Sequence, residues 1–213
     1  MAGFREGDEQ LQQKGLVMTL LPYLLIICAY LIGSMSAAIL ISKAMGLPDP
    51  RTVGSKNPGA TNVLRYGGKK VAILTLLGDS LKGLIPVLVA RYLGLSVEWL
   101  VLIGIAAFLG HLFSVYYGFK GGKGVATAIG IYIGLNPIIG LAVIATWLSA
   151  AFAFNMSSLA ALIATLLAPF YFYYITRSIV LLIGLLFITA LIYWKHENNV
   201  KKILDGTENK IID

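Results

Sequence analysis

Side chains that bind metals or do redox chemistry are scarce in this 213-residue chain: it has one cysteine and two histidines, and only 13% of its residues are charged. The single thiol, Cys28, has no internal partner, so the chain holds no disulfide framework and shows no metal or redox motif around it. The G-x-x-x-x-G-K-[ST] spacing of an ATP-binding loop is absent. No His-x-x-x-x-Asp pair occurs either: Tyr116 stands at that spacing from His111, and Lys201 from His196. That excludes a catalytic histidine–aspartate pair of that spacing. Neither a metal nor a cofactor is expected.

What is present is apolar: 58% of the residues are hydrophobic, and the mean hydropathy is +0.81. Several runs approach the ~20 residues that a bilayer requires. The expected class is an all-α polytopic membrane protein. The net charge of +7 does not point to nucleic acid. Its basic residues lie in inter-helix loops and the tail, which is a topology signal and an attraction to anionic lipid. Residues 1–17 read as a polar N-terminal extension without the basic start of a signal peptide. Residues 18–213 read as a single integral membrane domain, with Met18 as an alternative start.

The stretch Phe119-Lys120-Gly121-Gly122-Lys123-Gly124-Val125-Ala126-Thr127 sits between two apolar runs. Its glycines let successive N–H groups face one hollow, and a helix opening at Gly124 favours an anion. A phosphate cradle and a plain basic cytoplasmic turn both fit. The longest polar stretch, Gly46 to Lys70, contains Gly54-Ser55-Lys56-Asn57-Pro58-Gly59-Ala60-Thr61-Asn62 with Arg65 close behind. Short hydrogen-bonding side chains among glycines can ring an anion, and arginine can clamp it with two parallel bonds. The same composition also makes turns.

Asp79 and Lys82 lie in the middle of an apolar run, where charges are costly. At i, i+3 they can meet on one face, either as a self-neutralising pair or behind the Gly54–Asn62 loop. His111 precedes the glycine-lysine stretch by about two helical turns and is either a packing residue or part of the same surroundings. Pro86 is expected to kink its helix. Asn136-Pro137 divides Val125–Phe154 into two short helices. That division places loops 43–70 and 120–123 and the tail inside, with Arg5, Lys14, Arg91 and Arg177 outside. The reading is about seven segments, some short, with the N-terminus out and the C-terminus in.

These motifs, in this order and within apolar runs, are similar to the bacterial PlsY family, the acyl-phosphate:glycerol-3-phosphate acyltransferases of phospholipid synthesis. The resemblance spans roughly Ala29 to Gly206. It implies an inner-membrane enzyme whose site faces the cytoplasm and whose partners are acyl phosphate, glycerol 3-phosphate and membrane lipid. By motif position it implies functional roles for Ser55, Asn57, Thr61, Asn62, Arg65, Lys123, Ser158, His196 and Asn199. Together with the residue reading, the expected catalytic set is Ser55, Arg65, Lys123, His196 and Asn199. Gly54, Asn57, Gly59, Thr61, Asn62, Gly121, Gly122, Gly124 and Ser158 are expected to bind substrate, with Asp79, Lys82 and His111 behind them. A monomer is expected. The sequence departs from the family pattern at Lys56, where glycine is usual, at Ser114, where proline is usual, and at Asn155, where some members have arginine. On residues alone, a membrane anion transporter or channel is the alternative, because glycine-rich breaks and an intramembrane Asp/Lys pair suit transporters as well.

Overall fold

The structure is a computed structural model that describes residues 19–211. The N-terminal extension expected for residues 1–17 therefore lies outside the described residues. Among the described residues all regular structure is helical. Helices α1 (Thr19–Ser34) and α2 (Ala37–Ala44) form one apolar pair bent by 45°. They are followed by α3 (Ala60–Tyr92), α4 (Val97–Leu112), α5 (Val125–Leu135), α6 (Pro137–Phe154), α7 (Ser157–Thr176), α8 (Ile179–Lys195) and α9 (Glu197–Leu204). By length and composition α3, the α4 region, α6 and α7 can each cross a membrane, and α1–α2 and α8–α9 can do so as bent pairs. The seventh segment is α5. Its 11 residues span only about 16 Å, too short for the hydrocarbon.

The α1–α2 break explains the charged pair. Chain that leaves the helix at membrane depth exposes N–H and C=O groups that no water reaches, so protein must satisfy them. Lys82 Nζ donates to Met35 O at 2.6 Å, and Ala37 N–H donates to Asp79 Oδ1 at 3.2 Å. The two charges pair at 2.9 Å. Ser114, where the family usually has proline, donates its hydroxyl to Ser34 O. The pair thus braces the broken first span.

Two other expectations are corrected. The polar stretch 46–70 is not a loop throughout, because helix α3 begins at Ala60 with Gly59 as its N-cap. Its first turns are polar, which hid the helical period in the sequence. The departure from helical dihedrals within α3 falls at Gly68 (φ 79°, ψ 178°), not at Pro86. Proline's φ is compatible with a helix, whereas the extended bend at 68 needs the freedom of glycine.

Helix α5 packs along α3. A Cβ on Gly83 would lie 2.2 Å from Thr127 O, and one on Gly130 1.9 Å from Ser80 O, so the two backbones touch in the manner of small-residue membrane interfaces. The Asn136-Pro137 break is present. Asn136 Oδ1 accepts from the N–H groups of Ile138 and Ile139, and Pro137 opens α6. The core joins α4, α5, α7 and α8 through Phe108, Tyr132, Phe172, Leu185 and Ile188. Large apolar side chains such as Leu77, Phe152 and Ile183 face outward, as a lipid-facing surface requires.

Candidate active site

A cavity of about 450 Å³ opens where the N-terminal ends of α3, α5 and α7 meet. Thr61 near the start of α3, Val125 and Ala126 of α5, and Ser157 and Ser158 of α7 all line it. None of these three helices has a side-chain cap. Helices α4 and α9 also lack one, whereas α2, α6 and α8 are capped by Ser36, Asn136 and Ser178. The first N–H groups of a helix have no partner within it and carry the positive end of the macrodipole. Three such ends on one cavity, with Arg65, Lys123 and Lys202 among its lining residues, make an anion site.

The α3 end is shaped by Asn62. Its Oδ1 accepts from Ser55 N–H at 2.9 Å, and its Nδ2 donates to Pro50 O at 2.9 Å and Val53 O at 3.1 Å. With its polar atoms so engaged, Asn62 holds the loop while also lining the cavity. Gly54 lies behind it, at φ 58°, where a Cβ would meet Asn62 Oδ1 at 2.3 Å. Ser55, Asn57, Gly59 and Thr61 reach the cavity, and Thr61 Oγ1 bonds Ser157 Oγ at 3.0 Å, linking the α3 and α7 ends. Lys56 adopts φ 58°, the left-handed turn for which the family's usual glycine is suited.

The glycine-lysine stretch differs from a cradle. Gly121 N–H donates to Leu112 O and Gly122 N–H to His111 O, both at 3.2 Å. A Cβ on Gly121 would lie 1.9 Å from His111 O, and one on Gly122 2.3 Å from His111 Nε2. These two glycines dock the loop onto the end of α4 and do not line the cavity. Gly124, at φ 86°, turns the chain into α5 and does line it. Docking fixes Lys123, whose Nζ donates to Asn199 Oδ1. Burial lowers the Lys123 pKa from its ordinary value, Glu208 nearby opposes that shift, and Lys202 and Arg65 add to it.

His196 stands between α8 and α9, where its Nδ1 bonds Ile192 O at 2.8 Å. A carbonyl only accepts, so Nδ1 carries the proton and Nε2 is left as the second nitrogen of a cavity-lining ring. Asp79 and His111 line the deeper wall. His111 Nδ1 lies 3.9 Å from Asp79 Oδ1 and makes no hydrogen bond among the described residues. Lys82 faces the α1–α2 break and does not line the cavity. The other half of the cavity is apolar, with Leu76 and Leu77 from α3, Ile129 and Ile133 from α5, and Ile144, Trp147 and Leu148 from α6. Leu77 and Leu148 are 53% and 56% exposed on the lipid side.

The reading from sequence missed Glu208. It accepts from Ser158 Oγ at 2.7 Å and from Asn199 Nδ2 at 2.8 Å. A carboxylate is an unpromising ligand for anionic substrates, and nothing in the tail's composition distinguishes it from Glu197 or Asp205.

The profile of the glycerol-3-phosphate acyltransferase family matches residues 23–206. A glycerol-3-phosphate acyltransferase of Thioalkalivibrio sulfidiphilus is 54% identical over 192 residues, covering 90% of this chain and 95% of that one. One from Methylococcus capsulatus is 50% identical, covering 89% and 96%. The fold matches crystal structures of PlsY, an integral membrane glycerol 3-phosphate acyltransferase. Its glycerol 3-phosphate form gives a TM-score of 0.85 at 39% identity, covering 89% of this chain and 94% of that one. Its lysophosphatidic acid form gives 0.83 at 37% identity with the same coverage.

Proposed function

This chain belongs to the glycerol-3-phosphate acyltransferase family, and we propose that it moves an acyl group from acyl phosphate to the 1-hydroxyl of glycerol 3-phosphate, giving lysophosphatidic acid and phosphate. The transporter alternative falls with that membership. The observation that carries the reading is the two-part cavity: uncapped helix N-termini and cations at one end, and an apolar slot open toward lipid at the other. Two phosphates and a fatty chain are what such a space fits.

In this reading Arg65, Lys123, His196 and Asn199 hold glycerol 3-phosphate. Ser55 and the free N–H groups at the start of α3 hold the phosphate of the donor, whose chain lies along α5 against Ile129, Ile133 and Trp147. Holding both reactants converts an encounter into a first-order step, which can contribute about 7–11 kcal/mol where orientation is ideal. Preorganised N–H groups facing the developing oxyanion contribute a further ~3 kcal/mol each. The donor is a mixed anhydride and already activated, so an acyl-enzyme gains little. Thr61 is bonded to Ser157, and among the described residues neither it nor Ser55 has a bond to a histidine.

The donor binds as a lipid, and residues 18–213 act as one integral membrane unit in the bacterial inner membrane. The basic residues of loops 43–70 and 120–123 and of the tail flank the site, and Arg91 and Arg177 lie at the far ends of α3 and α7. That asymmetry supports a cytoplasmic site with the C-terminus inside. The unit is proposed to act as a monomer. Purified protein given acyl phosphate and glycerol 3-phosphate should release phosphate and form lysophosphatidic acid, while acyl-CoA should give no product. Acyl-CoA turnover at a comparable rate would refute the donor assignment.

A further inference from the structure

A second cavity, of about 250 Å³, is a groove between the first turns of α6 and the last turns of α7. It lies at the end of the bundle opposite the active site, which collects the N-terminal end of α7. Ile138, Ala142 and Thr146 form one wall, and Tyr171, Tyr174 and Ile175 form the other. From Ile138 to Thr146 the groove runs about 12 Å along α6. The hydroxyls at its deep end are already bonded. Thr146 Oγ1 donates to Ala142 O at 2.9 Å, so Tyr171 donates its own hydroxyl to Thr146 Oγ1, at 3.2 Å. A groove whose polar atoms satisfy one another takes a hydrocarbon chain without leaving a buried group unpaired.

The mouth of the groove is charged. The Arg177 guanidinium lies over the Tyr174 ring, with Cζ 5.2 Å from its centroid. That contact engages the face of the guanidinium and leaves its N–H edge for an anion. Arg177 has no salt bridge among the described residues, where the paired arginine and lysine are Arg51 and Lys82. Arg91, at the same end, donates to Gly134 O at 3.5 Å and has no carboxylate partner either. Glu98, in the first turn of α4, is the one described carboxylate at this end, and it pairs with neither arginine.

Charge complementarity selects the occupant. An apolar groove with an unneutralised arginine stacked at its mouth fits a lipid whose headgroup carries net negative charge. A zwitterionic lipid brings its own cation beside its phosphate and gains less. We propose that one anionic phospholipid docks here, with its phosphate on Arg177 and an acyl chain between α6 and α7. The site is separate from the reaction assigned above, since none of these residues lines the larger cavity.

Lipid retention by the purified full chain tests this. Protein is equilibrated in detergent with equal amounts of phosphatidylglycerol and phosphatidylcholine of the same chains, and bound lipids are counted by native mass spectrometry. Wild type should retain phosphatidylglycerol over phosphatidylcholine by roughly fivefold, the effect of one arginine near a membrane surface. Arg177→Gln, which removes the charge, should bring that ratio close to one. Ala142→Trp, which fills the groove and keeps the charge, should do the same. Both side chains are exposed, so neither change disturbs the core. Lys120→Gln removes one charge from the opposite end and should lower the ratio much less. Phosphatidylglycerol should also raise the wild-type melting temperature more than phosphatidylcholine does, and the Arg177 and Ala142 variants should lose most of that difference. Equal retention of the two lipids by wild type overturns the proposal. So does a wild-type ratio in Arg177→Gln, or an equal fall in Lys120→Gln, which would reduce the effect to net charge. A wild-type ratio in Ala142→Trp overturns it as well, by showing that the groove holds no chain.

Discussion

The ammonium of Lys123 donates to the side-chain carbonyl of Asn199, 76 positions further along the chain. Lys123 comes from the loop docked on α4 and Asn199 from the first turn of α9. The bond therefore closes the cavity's polar end from two sides, and it separates the two lysines of the glycine loop by role.

Lys123→Ala should lower kcat/KM strongly, since removing one partner of a desolvated charge contact costs about 2–5 kcal/mol. Lys120 is exposed and outside the cavity, so Lys120→Ala should cost much less. Steady-state kinetics of both variants checks the assignment, and equal losses would refute it.

The burial of Lys123 predicts a pH limit. Because its pKa is lowered, the Lys123 cation, proposed above to bind phosphate, is present at low and neutral pH and is lost at a pH below that of an exposed lysine. Apparent affinity for glycerol 3-phosphate should fall on that alkaline limb. In Glu208→Gln the opposing charge is gone, so the limb should move to lower pH still. A limb that stays fixed in KM–pH profiles of both proteins would disconnect Lys123 from binding.

Asp79 and Lys82 are 2% and 5% exposed and jointly satisfy the α1–α2 break. Lys82→Met or Asp79→Leu alone should destabilise the protein by about 3–5 kcal/mol, because each leaves a buried charge unpaired. The double variant should cost less than the sum of the two. Thermal unfolding in detergent, taken as a double-mutant cycle, would show the coupling, and strict additivity would argue against it.

Lys56→Gly should stabilise the protein by about 0.5–1 kcal/mol. A non-glycine residue at φ 58° loses about 1–2 kcal/mol to its Cβ, and glycine gives back ~0.4–1 kcal/mol through the unfolded chain. A lower melting temperature for the variant would mean that the Lys56 side chain makes a compensating contact.

Single cysteines in a Cys28→Ala background report orientation. One at Asn136 should react with an impermeant maleimide added outside intact cells, while one at Lys120 should react only after the membrane is opened. The reverse pattern would turn the site to the outer face.

Composition and local signals determined much of this protein by themselves. Apolar run lengths fixed the membrane class, and Asn136-Pro137 fixed a helix break, because proline at a first helical position after an asparagine cap is a local arrangement. The positions of Ser55, Arg65, Lys123, His196 and Asn199 stood out as motifs, and all five line one cavity. Roles that depend on neighbours distant in sequence were decided only by the tertiary structure. Asn62 holds a loop because Pro50 O and Val53 O lie within its reach. Gly121 and Gly122 pack on His111 because the end of α4 lies against them. Asp79 and Lys82 serve a break 42 and 47 positions away, and Glu208 enters the site because the tail folds back over the α6–α7 turn. A sequence shows which groups can bond. Which bonds form depends on where the helices end, and in a membrane each end must find its partners within the protein.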